Sequence, residues 1–225
     1  MEFVGLTISP QACLRKESLD EGLSYLAPWD CGVASEMTMS NPSTDVKHRF
    51  GQEPVPDFFL PLLDGSGNRS LQDYVVAKKG AVIVFWSAVC THCMRYDGYF
   101  DSFTQSYPQL GFLAIASRQG ETLAQMRSAA NHRLLRFPIL VDQPGHVARQ
   151  WQSQQTPRCY LVNADRQLLY RGAIDNFKLA TDKEYVAYLE PAVKSFLASE
   201  QITKAETASF GCAIETVYYQ LPKHL

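Results

Sequence analysis

The chain has 225 residues, of which 46% are hydrophobic and 20% are charged, and its formal net charge at pH 7 is -2. This composition is typical of a globular protein with its own core, and so small a charge gives no electrostatic reason to expect nucleic acid or an anionic membrane as a partner. No run approaches the ~20 apolar residues that span a bilayer, so no membrane span is expected. The six cysteines are too few for a disulfide scaffold of this size.

The first fifty residues show weak periodicity and include a polar stretch at 35–48. Such a segment buries little apolar surface, so residues 1–50 are predicted to be a loosely structured extension, with a short amphipathic helix near 12–26 as the alternative. The sequence starts without the basic and apolar regions of a signal peptide, which favours a cytoplasmic location. A periplasmic or extracytoplasmic location is the alternative, and there Cys13 and Cys31 could form a disulfide.

Residues 51–225 are predicted to form one α/β domain with a C-terminal tail, because strand and helix patterns alternate along them. A turn at 163–166 between two apolar runs predicts a hairpin, so the central sheet should be mixed. Pro191 is expected to kink or split the last helix. The predicted elements are a short strand near 58–63, helix 70–78, strand 81–86, helix 91–106, strand 111–116, helix 121–132, strand 138–141, helix 145–151, strands 158–163 and 167–171, and helix 183–198.

Two cysteines three residues apart, Cys90 and Cys93, directly follow the apolar strand 81–86. At a strand-to-helix junction both thiols fall on the first helical turn, where a thiolate is favoured. Cys90 is predicted to lie at the exposed helix start and to be the attacking sulfur, and Cys93 to resolve the mixed disulfide. His92 between them is predicted to lower the pKa of Cys90. Two cysteines at this spacing are typical of proteins that carry out thiol-disulfide exchange.

A short Cys-x-x-Cys is also half of many zinc sites. The sequence contains no second such pair and no His-x-x-x-His, and its histidines are scattered without ligand spacing. We therefore expect no metal and no cofactor apart from the redox-active disulfide between Cys90 and Cys93.

The order of motifs around the cysteine pair resembles the thioredoxin superfamily. It consists of an aromatic pair before the motif, an apolar run after it, and an X-Pro step before a hairpin: Phe85 and Trp86, residues 137–142, and Thr156 with Pro157. Further segments resemble the AhpC/TSA-type redoxins, a branch shared by peroxiredoxins and TlpA- or ResA-type oxidoreductases: residues 51–58, 64–67, 71–74, 170–175 and 208–214.

The resemblance implies a thioredoxin-like fold in which Pro157 is cis and packs against the dithiol, while the backbone of Thr156 pairs with an extended substrate. Trp86 and Thr91 are assigned to the same client-binding surface. Cys212, in a late Gly-Cys element, is assigned as an auxiliary thiol. Cys159 either approaches the site or lies in the core.

The predicted function is disulfide exchange with protein clients, recharged by a redox partner protein that the sequence does not identify. One alternative is a peroxiredoxin-like peroxidase using Cys90, in which Ser87 would take the hydroxyl position although Ile83 replaces the expected proline. The assisting arginine would be one of Arg118, Arg136 and Arg158.

Another alternative is a non-catalytic module that holds a thiophilic metal on the cysteine pair. Val84 stands where thioredoxins often carry a buried carboxylate that helps to deprotonate the second cysteine. The base in this chain could instead be a water molecule, Asp97, Asp142 or His92.

Overall fold

The computed structural model describes residues 53–177 and 184–215. Within these ranges the strands are β1 (Phe59–Pro61), β2 (Asn68–Ser70), β3 (Gly80–Trp86), β4 (Leu110–Ala116), β5 (Ile139–Val141), β6 (Gln155–Thr156), β7 (Arg158–Asn163), β8 (Leu168–Gly172) and β9 (Cys212–Ala213). The helices are α1 (Gln72–Val75), α2 (Thr91–Met94), α3 (Asp97–Ser106), α4 (Leu123–His132), α5 (His146–Gln150) and α6 (Leu189–Leu197).

A five-stranded sheet in the order β5, β4, β3, β7, β8 forms the centre of the fold. The strands β3, β4 and β5 run parallel, whereas β7 is antiparallel to both β3 and β8. All seven residues of β3 and all seven of β4 are buried, as expected for parallel strands covered on both faces. The mixed α/β sheet confirms the fold class predicted from the sequence.

Side chains of β3 alternate between two apolar cores, one on each face of the sheet. Val82, Val84 and Trp86 point into the first core, which also contains Cys90 and Cys93. The alternate β3 residues point into the second core, where an aromatic group packs: Phe58, Phe85, Trp151 and Tyr160. The cysteine pair is therefore built into one of the two cores and not onto a surface loop.

Three predicted helices differ from the observed ones, and the first of them, predicted at 70–78, is only Gln72–Val75. The helix predicted at 91–106 is divided into α2 and α3, because the backbone at Tyr96 leaves helical geometry with φ -102° and ψ 0°. The hydroxyl of Tyr96 donates to Asp175 at 2.6 Å. The last helix starts at Leu189, so Pro191 lies in its first turn. A proline there needs no partner for its missing N–H, and the helix is continuous from Leu189 to Leu197 and is not split.

Some sequence predictions fall outside the described residues. They are the extension at 1–50, its alternative helix and the bridge between Cys13 and Cys31. Among the described residues, no helix has the length and apolar character needed to cross a membrane.

Phe100 is fully buried in the first core, and its ring centroid lies 5.4–6.2 Å from those of Tyr96, Tyr99, Phe112 and Phe137. Phe100→Ala should lower the free energy of unfolding by about 3–5 kcal/mol, because the substitution leaves a cavity. Phe59→Ala is the control, since Phe59 is 70% exposed and its loss should cost about 0.5 kcal/mol or less. Urea denaturation measures both, and equal losses would contradict this account of the core.

Candidate active site

The two cysteines meet at the first turn of α2. The chain leaves β3 at Trp86, turns through residues 87–89 and enters the helix at Cys90, whose φ of -80° and ψ of 114° are still extended. The backbone carbonyl of Cys90 accepts hydrogen bonds from the N–H of Cys93 at 3.0 Å and from that of Met94 at 3.1 Å. Both cysteines are reduced and buried, so the turn holds two thiols side by side in the core.

A buried carboxylate, Glu121, fixes the loop before Cys90. It accepts hydrogen bonds from the Ser87 hydroxyl and from the backbone N–H groups of Ala88 and Val89, the latter two at 3.2 and 3.3 Å. Sequence reasoning missed this residue, because its partners lie 32–34 positions away and no local pattern marks such a contact. One of these bonds uses the Ser87 hydroxyl, the group that would polarise the peroxide in the peroxidase alternative.

Thr156 lies beside Cys90 and is followed by Pro157. The peptide bond between them is cis, which confirms that prediction. When Cys90 is protonated, its thiol donates to the backbone carbonyl oxygen of Thr156 at 3.2 Å. The Thr156 backbone pairs with a strand of the same chain, since β6 and β9 are antiparallel with Thr156 opposite Cys212. The edge predicted for a client is therefore occupied by residues near the C-terminal end of the described part.

The two thiols of the pair have pKa values shifted in opposite directions. Hydrogen bonding from Cys93, followed by hydrogen bonding from Cys212 and from the Thr156 side chain, lowers the pKa of Cys90 to about 4 although burial acts against it. Burial, reinforced by the neighbouring Cys90, raises the pKa of Cys93 well above its usual range. Cys90 is therefore the more acidic sulfur of the pair and Cys93 the less acidic one.

His92 contacts a different partner from the one predicted. Its ring packs edge-on against Phe210, with 5.1 Å between the ring centroids. The pKa of Cys90 is lowered mainly by the neighbouring thiols and Thr156, so a contribution of His92 to that pKa stays a prediction.

Two predicted exposures are wrong. Cys90 was expected at an exposed helix start, but it is 0% exposed because Thr156 and Cys212 pack against it. Trp86 was expected to line a client groove, but it is also 0% exposed. Its indole N–H donates to Asp97 at 3.3 Å, and Arg133 lies over its ring at 5.0 Å. Thr91 is exposed at the first position of α2.

The carboxylates considered as bases for Cys93 have other partners. Asp142 accepts from the Ser117 hydroxyl at 2.7 Å and from the backbone N–H groups of Val147 and Ala148, so it stabilises the start of α5. Asp97 is held by Trp86 and by Arg133 at 3.2 Å, and burial raises its pKa.

Cys159 and the two arginines Arg118 and Arg158 have different surroundings. Cys159 is fully buried in the first core, where burial raises its pKa, so it is a core residue. Arg118 hydrogen-bonds to Cys212, whereas Arg158 forms an ion pair with Glu206 at 3.9 Å. Among the described residues, no group of three or more His, Cys, Asp or Glu side chains is arranged to hold a metal ion.

A cavity of about 680 Å³ opens beside Pro157. Its walls combine aromatic rings with hydrogen-bonding groups, as in Tyr96, Pro157, Asp175, Phe177, Tyr188 and Phe210. A mixed wall of this kind suits an apolar or aromatic side chain of a peptide.

The model of the AhpC/TSA family matches residues 52–171. Over 127 residues the chain is 24% identical to the thiol-disulfide oxidoreductase ResA of Bacillus cereus, covering 56% of this chain and 71% of that relative. A hypothetical protein of Sinorhizobium meliloti 1021 has a similar structure, with a TM-score of 0.66 and 25% identity over 74% of this chain and 93% of that one. An uncharacterized conserved protein from Geobacillus kaustophilus also has a TM-score of 0.66, with 22% identity over 76% of this chain and 93% of that one. The resemblance to redoxins is confirmed.

The low pKa of Cys90 should depend on Cys93. In the reduced protein, thiolate absorbance in the ultraviolet should rise with a midpoint near pH 4. Cys93→Ala removes the largest stabilising contribution, so the midpoint should move toward the ~8.5 of free cysteine. Cys159→Ala is the matched control and should leave the midpoint in place. An unchanged midpoint in Cys93→Ala would contradict the assignment.

The same shift affects the stability of the reduced protein. Because the pKa of Cys90 is lower in the folded chain than in the unfolded one, the unfolded state binds more protons between these two values. The contribution of Cys90 to the free energy of unfolding is complete above the pKa that this thiol has in the unfolded chain. It is lost as the pH falls through about 4.

Proposed function

Because this chain belongs to the AhpC/TSA family, we propose that it is a thiol-disulfide oxidoreductase that exchanges disulfides with protein clients through Cys90 and Cys93. The observation that carries the proposal is the buried pair of thiols with oppositely shifted pKa values. The relative from Bacillus cereus, named as a thiol-disulfide oxidoreductase, supports the same activity.

The exchange proceeds in two steps that conserve atoms and electrons. The Cys90 thiolate attacks one sulfur of a client disulfide, the client S–S bond breaks, and its other sulfur leaves as a thiolate. Cys93 then loses its proton and attacks the Cys90 sulfur, which releases the reduced client and closes the Cys90–Cys93 disulfide. Two electrons pass from the dithiol to the client, and a redox partner protein returns them in the next cycle.

The mixed disulfide prepares Cys93 for its attack. In the reduced protein the negative charge on Cys90 helps to raise the pKa of Cys93. That charge disappears once Cys90 is bonded to a client, so the pKa of Cys93 falls at the step in which it must lose a proton.

The surroundings of the pair support a protein client. The backbone of Thr156 pairs with an extended strand in the structure, and Pro157 connects it to the adjoining cavity. A client would place a side chain in this cavity, and Thr91 would contact it from the helix.

The hydrogen bond from Ser87 to Glu121 favours disulfide exchange over the peroxidase alternative. A hydroxyl that donates its hydrogen to Glu121 cannot donate it to a peroxide. Arg118 contacts Cys212, and peroxide consumption is the direct test of the peroxidase alternative.

Reduction of insulin by dithiothreitol tests the proposed function. The wild-type chain should accelerate it, and Cys90→Ser should reduce the rate to the uncatalysed background because the attacking sulfur is gone. Cys159→Ala, which removes a buried thiol outside the pair, should retain the wild-type rate. Equal rates for wild type and Cys90→Ser would overturn the proposal. Consumption of hydrogen peroxide without insulin reduction would favour the peroxidase.

A further inference from the structure

The last described strand is firmly attached beside the dithiol. Strand β9 pairs with β6, and the pairing extends to Ile214, whose N–H donates to the carbonyl of Gln154 at 2.9 Å. The carbonyl of Ile214 accepts from the N–H of Gln119 at 2.8 Å. The Ile214 side chain is buried in the second core, so the strand is part of the fold.

Gly211 brings this strand unusually close to Thr156. A Cβ atom at Gly211 would lie 1.9 Å from the carbonyl oxygen of Thr156 and 2.7 Å from its carbonyl carbon. Only glycine permits such an approach of two backbones. The next residue, Cys212, consequently lies directly opposite Thr156 in the ladder.

This register makes Cys90 the central sulfur of three. Its sulfur lies 3.2 Å from the Thr156 carbonyl oxygen, and the thiols of Cys93 and Cys212 each donate a hydrogen bond to its thiolate form. Cys90 and Cys93 are fully buried, whereas Cys212 is partly exposed. The strand therefore occupies the backbone edge that an extended client would use and presents a cysteine where the client's sulfur would be.

We propose that Cys212 is a third redox-active thiol, carried by residues 211–214 as a built-in client strand, and that it exchanges with the Cys90–Cys93 disulfide. The inference rests on the proposed function, which forms that disulfide. The Cys212 thiol loses its proton and attacks the Cys90 sulfur, the Cys90–Cys93 bond breaks, and Cys93 leaves as a thiolate and takes up a proton. The number of disulfides is unchanged, so this step needs no oxidant.

The surroundings of Cys212 favour its attack on the oxidised pair. In the reduced protein burial and the neighbouring Cys90 raise its pKa, while Arg118 acts in the opposite direction. Oxidation of Cys90 removes the opposing thiolate and leaves the influence of Arg118. The exchange transfers one end of the disulfide from a buried sulfur to a partly exposed one, where a client or redox partner can reach it.

The test uses glutathione disulfide as the oxidant and full-length Cys93→Ser. Glutathione disulfide forms a mixed disulfide with Cys90 or Cys212, and the other thiol then displaces reduced glutathione. After quenching by alkylation, peptide mass spectrometry should find Cys90 and Cys212 joined in most molecules. Cys93→Ser/Cys212→Ser should instead accumulate glutathione on Cys90, while Cys93→Ser/Cys159→Ala should behave like Cys93→Ser. Glutathione retained on Cys90 in Cys93→Ser, with Cys212 free, would overturn the inference.

A second pair of variants tests the strand without removing a thiol. In the Cys93→Ser background, Gly211→Val should displace β9 and cause a loss of most of the Cys90–Cys212 disulfide. Ala213→Ser, an exposed position on the same strand, should preserve it. Equal yields from the two variants would contradict the role of the strand.

Failure of this inference can be told apart from failure of the proposed function. If the wild-type chain reduces insulin but the Cys90–Cys212 disulfide does not form in Cys93→Ser, only the third thiol is refuted. If the wild-type chain does not reduce insulin, the proposed function fails whatever disulfides form.

Discussion

The site depends on the backbone of Thr156. Its carbonyl oxygen lies 3.2 Å from the Cys90 sulfur, and the same residue pairs with Cys212 on β9. One peptide unit thus lies between the Cys90 sulfur and the strand that pairs with it. An extended chain at that edge is held by main-chain hydrogen bonds, which give affinity without demanding a particular sequence. In this protein the strand present is its own, and it contains a cysteine.

Burial and hydrogen bonding together determine the pKa values of the two sulfurs. A buried thiolate is costly unless donors surround it, and Cys90 has donors in Cys93, Cys212 and Thr156, which lower its pKa to about 4. For Cys93, burial is the largest influence and the neighbouring Cys90 adds to it, so its pKa moves the other way. Glu121 holds the loop that delivers Cys90 to this position. A lowered pKa also stabilises the reduced form, which makes the pair more oxidising.

The sequence predicted the features that depend on local pattern. The apolar runs of β3 and β4 and the cysteine spacing followed from residues close together in the chain, whereas the cis bond before Pro157 was implied by the resemblance to the thioredoxin superfamily. The burial of Cys90 and Trp86 was not predictable in this way, because contacts made after folding cover them. Glu121 likewise acts on a loop 32–34 positions away. Cys212 was noticed as an auxiliary thiol, but its register opposite Thr156 required the structure.

Titration of the wild-type chain in glutathione redox buffers, quenched by alkylation and mapped by mass spectrometry, tests the central role of Cys90 most directly. Every disulfide formed among Cys90, Cys93 and Cys212 should contain Cys90, with the other two as its competing partners. A disulfide between Cys93 and Cys212, or oxidation of either while Cys90 remains a free thiol, would contradict the account.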